Sequence, residues 1–290
     1  MESTESEIGE SSSKLRDKVE DFFYKKIIRP LLLTSRFGRQ SVLGKADSGV
    51  NFEYIYRNKA EGITVFGRLV DRVLLNLPSV KATRNRKDNI VKILKNEIEN
   101  NYLLGQKTKI LDVGCGTSRY LLELQNEYSG DHIEALCLDY DADSIKLAKR
   151  LIGVPAQAKS FIRYTRANVM RIEHLKYLGR RLKWTPNVLI ASGFIYYLDD
   201  EGVRSALREI YRHLDRGGLL VMSSIQSSPS RKLMEKVCTT QKKENWVLNY
   251  REPEAVRKMM IGAGFRGVVI GQDPWGMYNV CTGRKPWDES

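Results

Sequence analysis

The sequence has little of what staples a chain or anchors it in a membrane. Its four cysteines (Cys115, Cys137, Cys238, Cys281) are scattered with no C-x-x-C pair, and its three histidines (His132, His174, His213) show no ligand spacing. Neither a disulfide framework nor a metal site is expected from such spacing. No run approaches the roughly 20 apolar residues that cross a bilayer. The first residues are acids and serines, unlike the basic and apolar start of a secretory signal. The expectation from these absences is a chain of the reducing cytoplasm, with any membrane attachment peripheral on the inner face.

What is present suffices for one sizeable core with an extension: 290 residues, 42% of them hydrophobic. The net charge of +13 is uneven. Residues 1–13 carry four Glu and no Lys or Arg, residues 14–109 carry 21 basic against 10 acidic, and residues 110–290 carry 27 against 21. A basic N-terminal region suits the phosphates of lipid or nucleic acid, and it serves solubility equally well.

Three zones follow. Residues 1–13, "MESTESEIGESSS", are polar and without periodicity, and read as a disordered tail. Residues 14–108 read as a basic helical extension or cap. Within it Leu15, Val19, Phe22, Phe23 and Ile27 recur at helical spacing, with Pro30 as the expected stop. Further helices are expected over 64–77, ended by Pro78, and over 80–101, with 51–62 as an irregular connector.

From Lys109 to residue 286 apolar strands alternate with amphipathic helices, the pattern of an α/β domain with a parallel sheet. Strands are expected at 109–113, 132–138, 160–166, 187–192 and 217–224, with helices near 117–128, 141–152, 200–214 and 252–262. "GFRGVVIG" and "MYNVCTGR" are joined by "QDPW", too short for a parallel crossover. The expectation is a Rossmann-like, seven-stranded, mostly parallel sheet ending in an antiparallel hairpin, the arrangement of class I methyltransferases that use S-adenosyl-L-methionine (SAM).

"KILDVGCGTSRYLLEL" delivers a strand into a turn where Gly114 and Gly116 let a ligand approach the backbone at the start of a helix. The dinucleotide pattern G-x-G-x-x-G fails at Arg119. The stretch instead resembles the methyltransferase motif D-x-G-x-G-x-G, with Ser118 in place of its last glycine. Asp139 closes the second strand near the ~20-residue offset at which an acid reaches ribose hydroxyls. Asp141 and Asp143 are better placed to cap the next helix. Asn168 follows the third strand and is a candidate for the adenine, with a turn as its other reading. The fourth strand enters "ASGFIYYLDDEG", with tyrosines where many class I enzymes carry a histidine. A tyrosine orients an acceptor better than it deprotonates one.

"NFEYIYRNKAEG", "FGRLVDR", "RNRK", the glycine turn, "LDY", "ASGFIYYL", "QSSPSRKLMEKV", "WVLNYREPEAVRKMMIGAGF" and "DPWGMYNV" together resemble a bacterial family of class I methyltransferases. Some of its members are fused behind an α/β-hydrolase domain, which this sequence does not contain. The resemblance covers about Gly38 to Arg284. It implies SAM as cofactor and places Tyr54, Tyr56, Arg57 and Trp275 in a lid or acceptor pocket; their other reading is gap-filling in a packed connector.

The resulting expectation is SAM-dependent methyl transfer to an acceptor of small or lipid-associated type. Asp112, Gly114, Cys115, Gly116, Ser118, Asp139, Tyr140, Asn168, Ser192 and Gly193 form the cofactor set. Tyr196 is the catalytic candidate. Asp199 is held in reserve, with a helix cap as its alternative. The first helix is expected either to dock on the domain or to lie in an anionic membrane surface. An RNA methyltransferase using the basic region and a non-catalytic SAM-binding protein remain as alternatives.

Overall fold

The computed structural model describes residues 15–153, 160–168 and 185–288; the expected tail lies outside them. The chain divides into two units. One comprises residues up to Asp47, Asn58–Leu77 and Ser230–Val247; the other comprises Ser48–Arg57, Pro78–Pro229 and Leu248 onward.

In the first unit the chain is helical from 15 through Thr34, so Pro30 does not stop it. A π turn over Phe23–Ile28 precedes the proline, and the Arg29 amide donates back to the Tyr24 carbonyl. That wider turn accommodates a residue with no amide to give and a ring that crowds the previous turn. Asp71 is buried and accepts from the Ser35 hydroxyl and the amides of Phe37 and Glu61, which joins three segments of this unit. Lys232 and Lys236, on the Arg231–Val237 helix, pair with Glu20 and Asp21. Leu15, Val19, Phe22, Phe23 and Ile27 stay exposed, as do Val65, Phe66, Leu69 and Val73 of the Val65–Leu75 helix.

The second unit is built on a seven-stranded sheet in the order β3-β2-β1-β4-β5-β7-β6. Its strands are β1 (Thr108–Val113), β2 (Ile133–Asp139), β3 (Ile162–Arg166), β4 (Val188–Ala191), β5 (Leu219–Ile225), β6 (Arg266–Gln272) and β7 (Tyr278–Arg284). The first five run parallel; β7 is antiparallel to both β5 and β6. Alternate residues feed two cores. Ile110 and Val188 pack with Ile90, Leu94, Leu121 and Ile145 on one face. Leu111 and Leu189 pack with Val203, Leu207, Val256 and Met260 on the other. Burial on both faces explains why β4 and β5 read as continuous apolar runs.

The 51–62 stretch differs from expectation, because Gly49–Arg57 is a helix. Its local sequence is aromatic and weakly helical, so packing decides the outcome. Glu53 is buried, bonding the Thr117 hydroxyl at 3.1 Å and Arg119 at 2.6 Å. Pro78, expected to end one helix, opens the next, Pro78–Leu103.

Candidate functional site

The strand order reverses between β1 and β4, and at such a switch the loops leaving the carboxyl ends of the strands part to form a crevice. Here the turn after β1 has three left-handed residues: Gly114 (φ 68°), Gly116 (φ 56°) and Ser118 (φ 50°). Ser118 occupies the conformation that normally selects glycine. Its hydroxyl donates to the Asp112 carboxylate at 2.9 Å, a local bond that offsets the backbone strain. The left-handed Ser118 also delays the helix to Arg119–Leu124, shorter than the expected 117–128.

Asp112 is fully buried. One of its oxygens accepts from Ser118 and from the Tyr120 hydroxyl at 2.7 Å, while Oδ1 has no partner. Burial pushes its carboxyl up to about 7. Asp139 accepts from the amides of Gly116 (2.7 Å) and Asp141 (2.8 Å), and burial raises it to about 6. The Gly116 amide is therefore already engaged by Asp139 rather than offered to a ligand. Asp141 caps the Ala142–Ile152 helix and accepts from the Ser48 hydroxyl at 2.6 Å. Two carboxylates with raised pKa thus flank the turn. Such a pair suits a ligand with an ammonium and a vicinal diol, which can restore the charge and hydrogen bonding that burial withholds.

Cys115 turns into the core, its thiol pushed up by burial. Tyr140 is exposed beside Asp139, and its carbonyl accepts from Arg166. Asn168 is partly buried just beyond β3. Ser192 and Gly193 follow β4, and the Ser192 hydroxyl lies 3.3 Å from that of Ser223. Gly193 has φ 123°, and a Cβ there would sit 3.5 Å from the Tyr196 hydroxyl. Tyr196 is buried in the Ile195–Tyr197 turn, and its hydroxyl accepts from Arg86 at 2.7 Å. Asp199 accepts from the Gly202 amide as the cap of the Asp200–His213 helix, the alternative role the sequence offered for it.

Of the expected acceptor residues, Tyr56 joins the group: its hydroxyl accepts from Arg86 at 3.2 Å. Tyr54 is buried with the Arg57 guanidinium 6.0 Å from its ring centre. Trp275 sits in the β6–β7 turn, at the same end of the sheet, since Tyr278 pairs with Ile225 at the end of β5. Sequence reading missed Arg86, Ser48, Gly49 and Glu53. Arg86 was detectable: with Thr83, Ile90 and Leu94 it holds the buried stripe of its helix, where a charge is out of place. Among the described residues no group of three His, Cys, Asp or Glu side chains could hold a metal ion.

A doubly wound sheet with an antiparallel seventh strand and an acid-flanked glycine turn at its switch point is the architecture of class I methyltransferases. A family model described as "Putative methyltransferase" matches residues 3–285, and the chain belongs to that family. It is 26% identical over 237 residues to the Escherichia coli K12 protein titled "Uncharacterized protein YnbC", which covers 81% of this chain. The chain spans only 39% of that relative's length. Among solved structures it is similar to a possible exported protein from Bordetella parapertussis (TM-score 0.68, 21% identity, 88% of this chain and 85% of that one). It is also similar to the CurJ carbon methyltransferase (0.57, 15%, 96% and 71%). A third likeness is to magnesium protoporphyrin IX methyltransferase of Synechocystis PCC 6803, solved with S-adenosylhomocysteine (0.54, 11%, 85% and 99%). At these identities the likenesses show the shared fold.

Proposed function

We propose that the protein binds SAM at the β1 turn and transfers its methyl group to an acceptor held beside Gly193 and Tyr196. The observation that carries this reading is the unpartnered, buried Oδ1 of Asp112 in the strand that feeds the turn. A buried acceptor atom left unmatched costs about 1–3 kcal/mol, and an ammonium such as that of the methionine moiety would satisfy it. Asp139 would take the ribose hydroxyls through lone pairs that the two amides leave open. Asn168 would lie by the adenine.

When bound, SAM supplies an electrophilic methyl on a sulfonium. The chain's own residues then have to position the acceptor and exclude water, which together supply roughly 7–11 kcal/mol. Tyr196, its hydroxyl fixed by Arg86, can still donate its proton in a hydrogen bond to an acceptor oxygen and so orient it. Burial raises its pKa, which suits a neutral hydrogen-bond donor rather than a base.

The acceptor is proposed to be small or lipid-associated, with the enzyme cytoplasmic and peripheral on an anionic membrane. The exposed apolar face of the first helix is flanked by Lys18, Lys25, Lys26 and Arg29, and that of the Val65–Leu75 helix by Arg68 and Arg72. Apolar area beside basic groups is the combination that interfacial binding uses. No described helix is long and apolar enough to cross a membrane. The test is incubation of the full chain with methyl-labelled SAM and fractionated cell extract. Label in a lipid or small-molecule fraction supports the reading, label in RNA redirects it to nucleic acid, and SAM binding with no label in any fraction overturns methyl transfer.

A further inference from the structure

Arg86 is the one strongly buried arginine in the second unit for which the described residues offer no carboxylate. Arg251, buried to a similar degree, pairs with Asp200 at 2.8 Å. Arg119 pairs with Glu53 and Arg284 with Glu97. Around Arg86 there are instead four aromatic rings. Its Nη1 donates to Tyr196 and its Nη2 to Tyr56, its guanidinium carbon stands 4.5 Å from the ring centre of Tyr278 and 5.6 Å from that of Phe52, and its Nε–H has no partner.

A guanidinium has five N–H donors in a fixed fork, and two of them are used here. Burial opposes the charge, but a guanidinium is too basic to lose its proton in a protein, so the group stays charged. Hydroxyls and ring faces supply dipoles and quadrupoles, not a countercharge, so part of the cost of taking this ion out of water is left unmet. An anion that arrives with a ligand would remove that cost. The position fits a ligand, because Tyr196 brings this cluster to Gly193 at the exit of β4, on the side of the sheet that carries the glycine turn.

We propose that Arg86, framed by Tyr56 and Tyr196, is a receptor for a ligand carboxylate at the switch-point end of the sheet. The inference deepens the methyl-transfer reading and rests on it for the location of the ligands. A planar carboxylate matches the guanidinium fork in two parallel hydrogen bonds, whereas the two tyrosine hydroxyls can turn to donate to the same oxygens. Two ligands could bring that group: the amino-acid end of the cofactor, or the methyl acceptor.

Calorimetry on the full chain separates them. S-Adenosylhomocysteine, which carries the carboxylate, is compared with 5′-methylthioadenosine, which lacks the amino-acid part. Sodium benzoate is compared with benzyl alcohol, with and without S-adenosylhomocysteine present. Each titration is run on the wild type, on Arg86→Met and on Arg86→Lys, which keeps the charge but loses the fork; circular dichroism reports whether each variant is folded. If the cofactor supplies the carboxylate, the variants lose tenfold or more in S-adenosylhomocysteine affinity and keep their methylthioadenosine affinity. If the acceptor supplies it, nucleoside binding is unchanged, and benzoate binds the wild type in preference to benzyl alcohol and is weakened tenfold or more in both variants. Wild-type benzoate binding no stronger than that of benzyl alcohol, together with unchanged S-adenosylhomocysteine affinity in the variants, overturns the proposal. Failure of the wild type to bind either nucleoside would instead sink the SAM reading, and the benzoate comparison would still decide the role of Arg86.

Discussion

Gly49 and Gly116 meet backbone to backbone: a Cβ placed on Gly49 would lie 2.5 Å from the Cα of Gly116 and 2.6 Å from the Ser144 hydroxyl. The amino end of the Gly49–Arg57 helix therefore rests directly on the glycine turn. Gly49→Ala would push against the Gly116 backbone, which cannot yield as a flexible side chain would, and against the Ser144 hydroxyl, which is held by Asp141. We expect it to destabilise the protein by about 1–3 kcal/mol, the range for overpacking, and to weaken S-adenosylhomocysteine binding. Urea unfolding and calorimetry read the two effects; an unchanged midpoint and affinity would remove this contact from the site.

Asp139 gives a second expectation. Its carboxylate already accepts two amides, so Asp139→Asn should disturb the turn through Gly116 as well as the ribose contact. Asp139→Ala should lower cofactor affinity by about 1.5–3 kcal/mol, the range for hydrogen bonds to a charged group. Calorimetry with S-adenosylhomocysteine and with NAD as a control tests it, and equal wild-type affinity for both would refute the assignment.

The raised pKa values of Asp112, about 7, and Asp139, about 6, predict a pH dependence with opposite signs for stability and binding. Without ligand, the folded chain holds protons that the unfolded chain has released above about pH 4, so stability should fall as pH rises from about 4 to 7. A ligand ammonium needs Asp112 ionised, so S-adenosylhomocysteine should bind on the order of tenfold more tightly at pH 7.5 than at 5.5. Asp112→Asn should flatten most of that slope. A flat wild-type profile would mean that neither carboxyl meets the ligand's charge.

Tyr196→Phe removes a hydroxyl from a fully buried site and leaves the Arg86 fork with one fewer acceptor. Turnover should fall while S-adenosylhomocysteine affinity stays within about twofold, the pattern of a group that acts on the acceptor in the transition state. Loss of cofactor affinity with the fold intact by circular dichroism would instead place the Tyr196 hydroxyl with Arg86 on the cofactor's carboxylate, and loss of the fold would mark the tyrosine as structural.

For the first helix, the full chain should co-sediment with vesicles containing anionic lipid, be released by salt, and bind neutral vesicles weakly. Replacing Phe22 and Phe23 with Ser should abolish binding while leaving the melting temperature unchanged, because both side chains are exposed. Salt-insensitive binding, or binding that survives the double substitution, would contradict the interfacial reading.

The sheet was legible because its signals are local and periodic. Strands β1, β2, β4 and β5 are largely apolar runs between turn residues, β3 alternates apolar with polar residues, and "QDPW" is too short to be anything but the turn of an antiparallel pair. The glycine turn and Asp139 were legible by spacing, and Asp141 took the capping role as expected. The departures are places where packing overrides local preference. Pro30 signals a stop, yet the π turn before it carries the helix through. Residues 49–57 have no strong helical pattern, and their helix depends on Glu53 reaching Thr117 and Arg119. Arg86 stood on the apolar stripe of its helix with Thr83, Ile90 and Leu94, but what holds it there, Tyr56 and Tyr196, is distant in sequence and was not legible.

Those separations also bear on the order in which the protein assembles during synthesis. Ser48 finds Asp141 across 93 positions and Arg86 finds Tyr196 across 110, while Tyr278, the ring nearest Arg86, lies on the last strand of the sheet. Contacts this remote form late, after the loops between them have closed. A nascent chain can therefore complete its parallel strands and still have Arg86 in water. The aromatic frame of Arg86 is complete only when β7 inserts between β5 and β6, so the insertion of that strand is the last step in assembling the cluster.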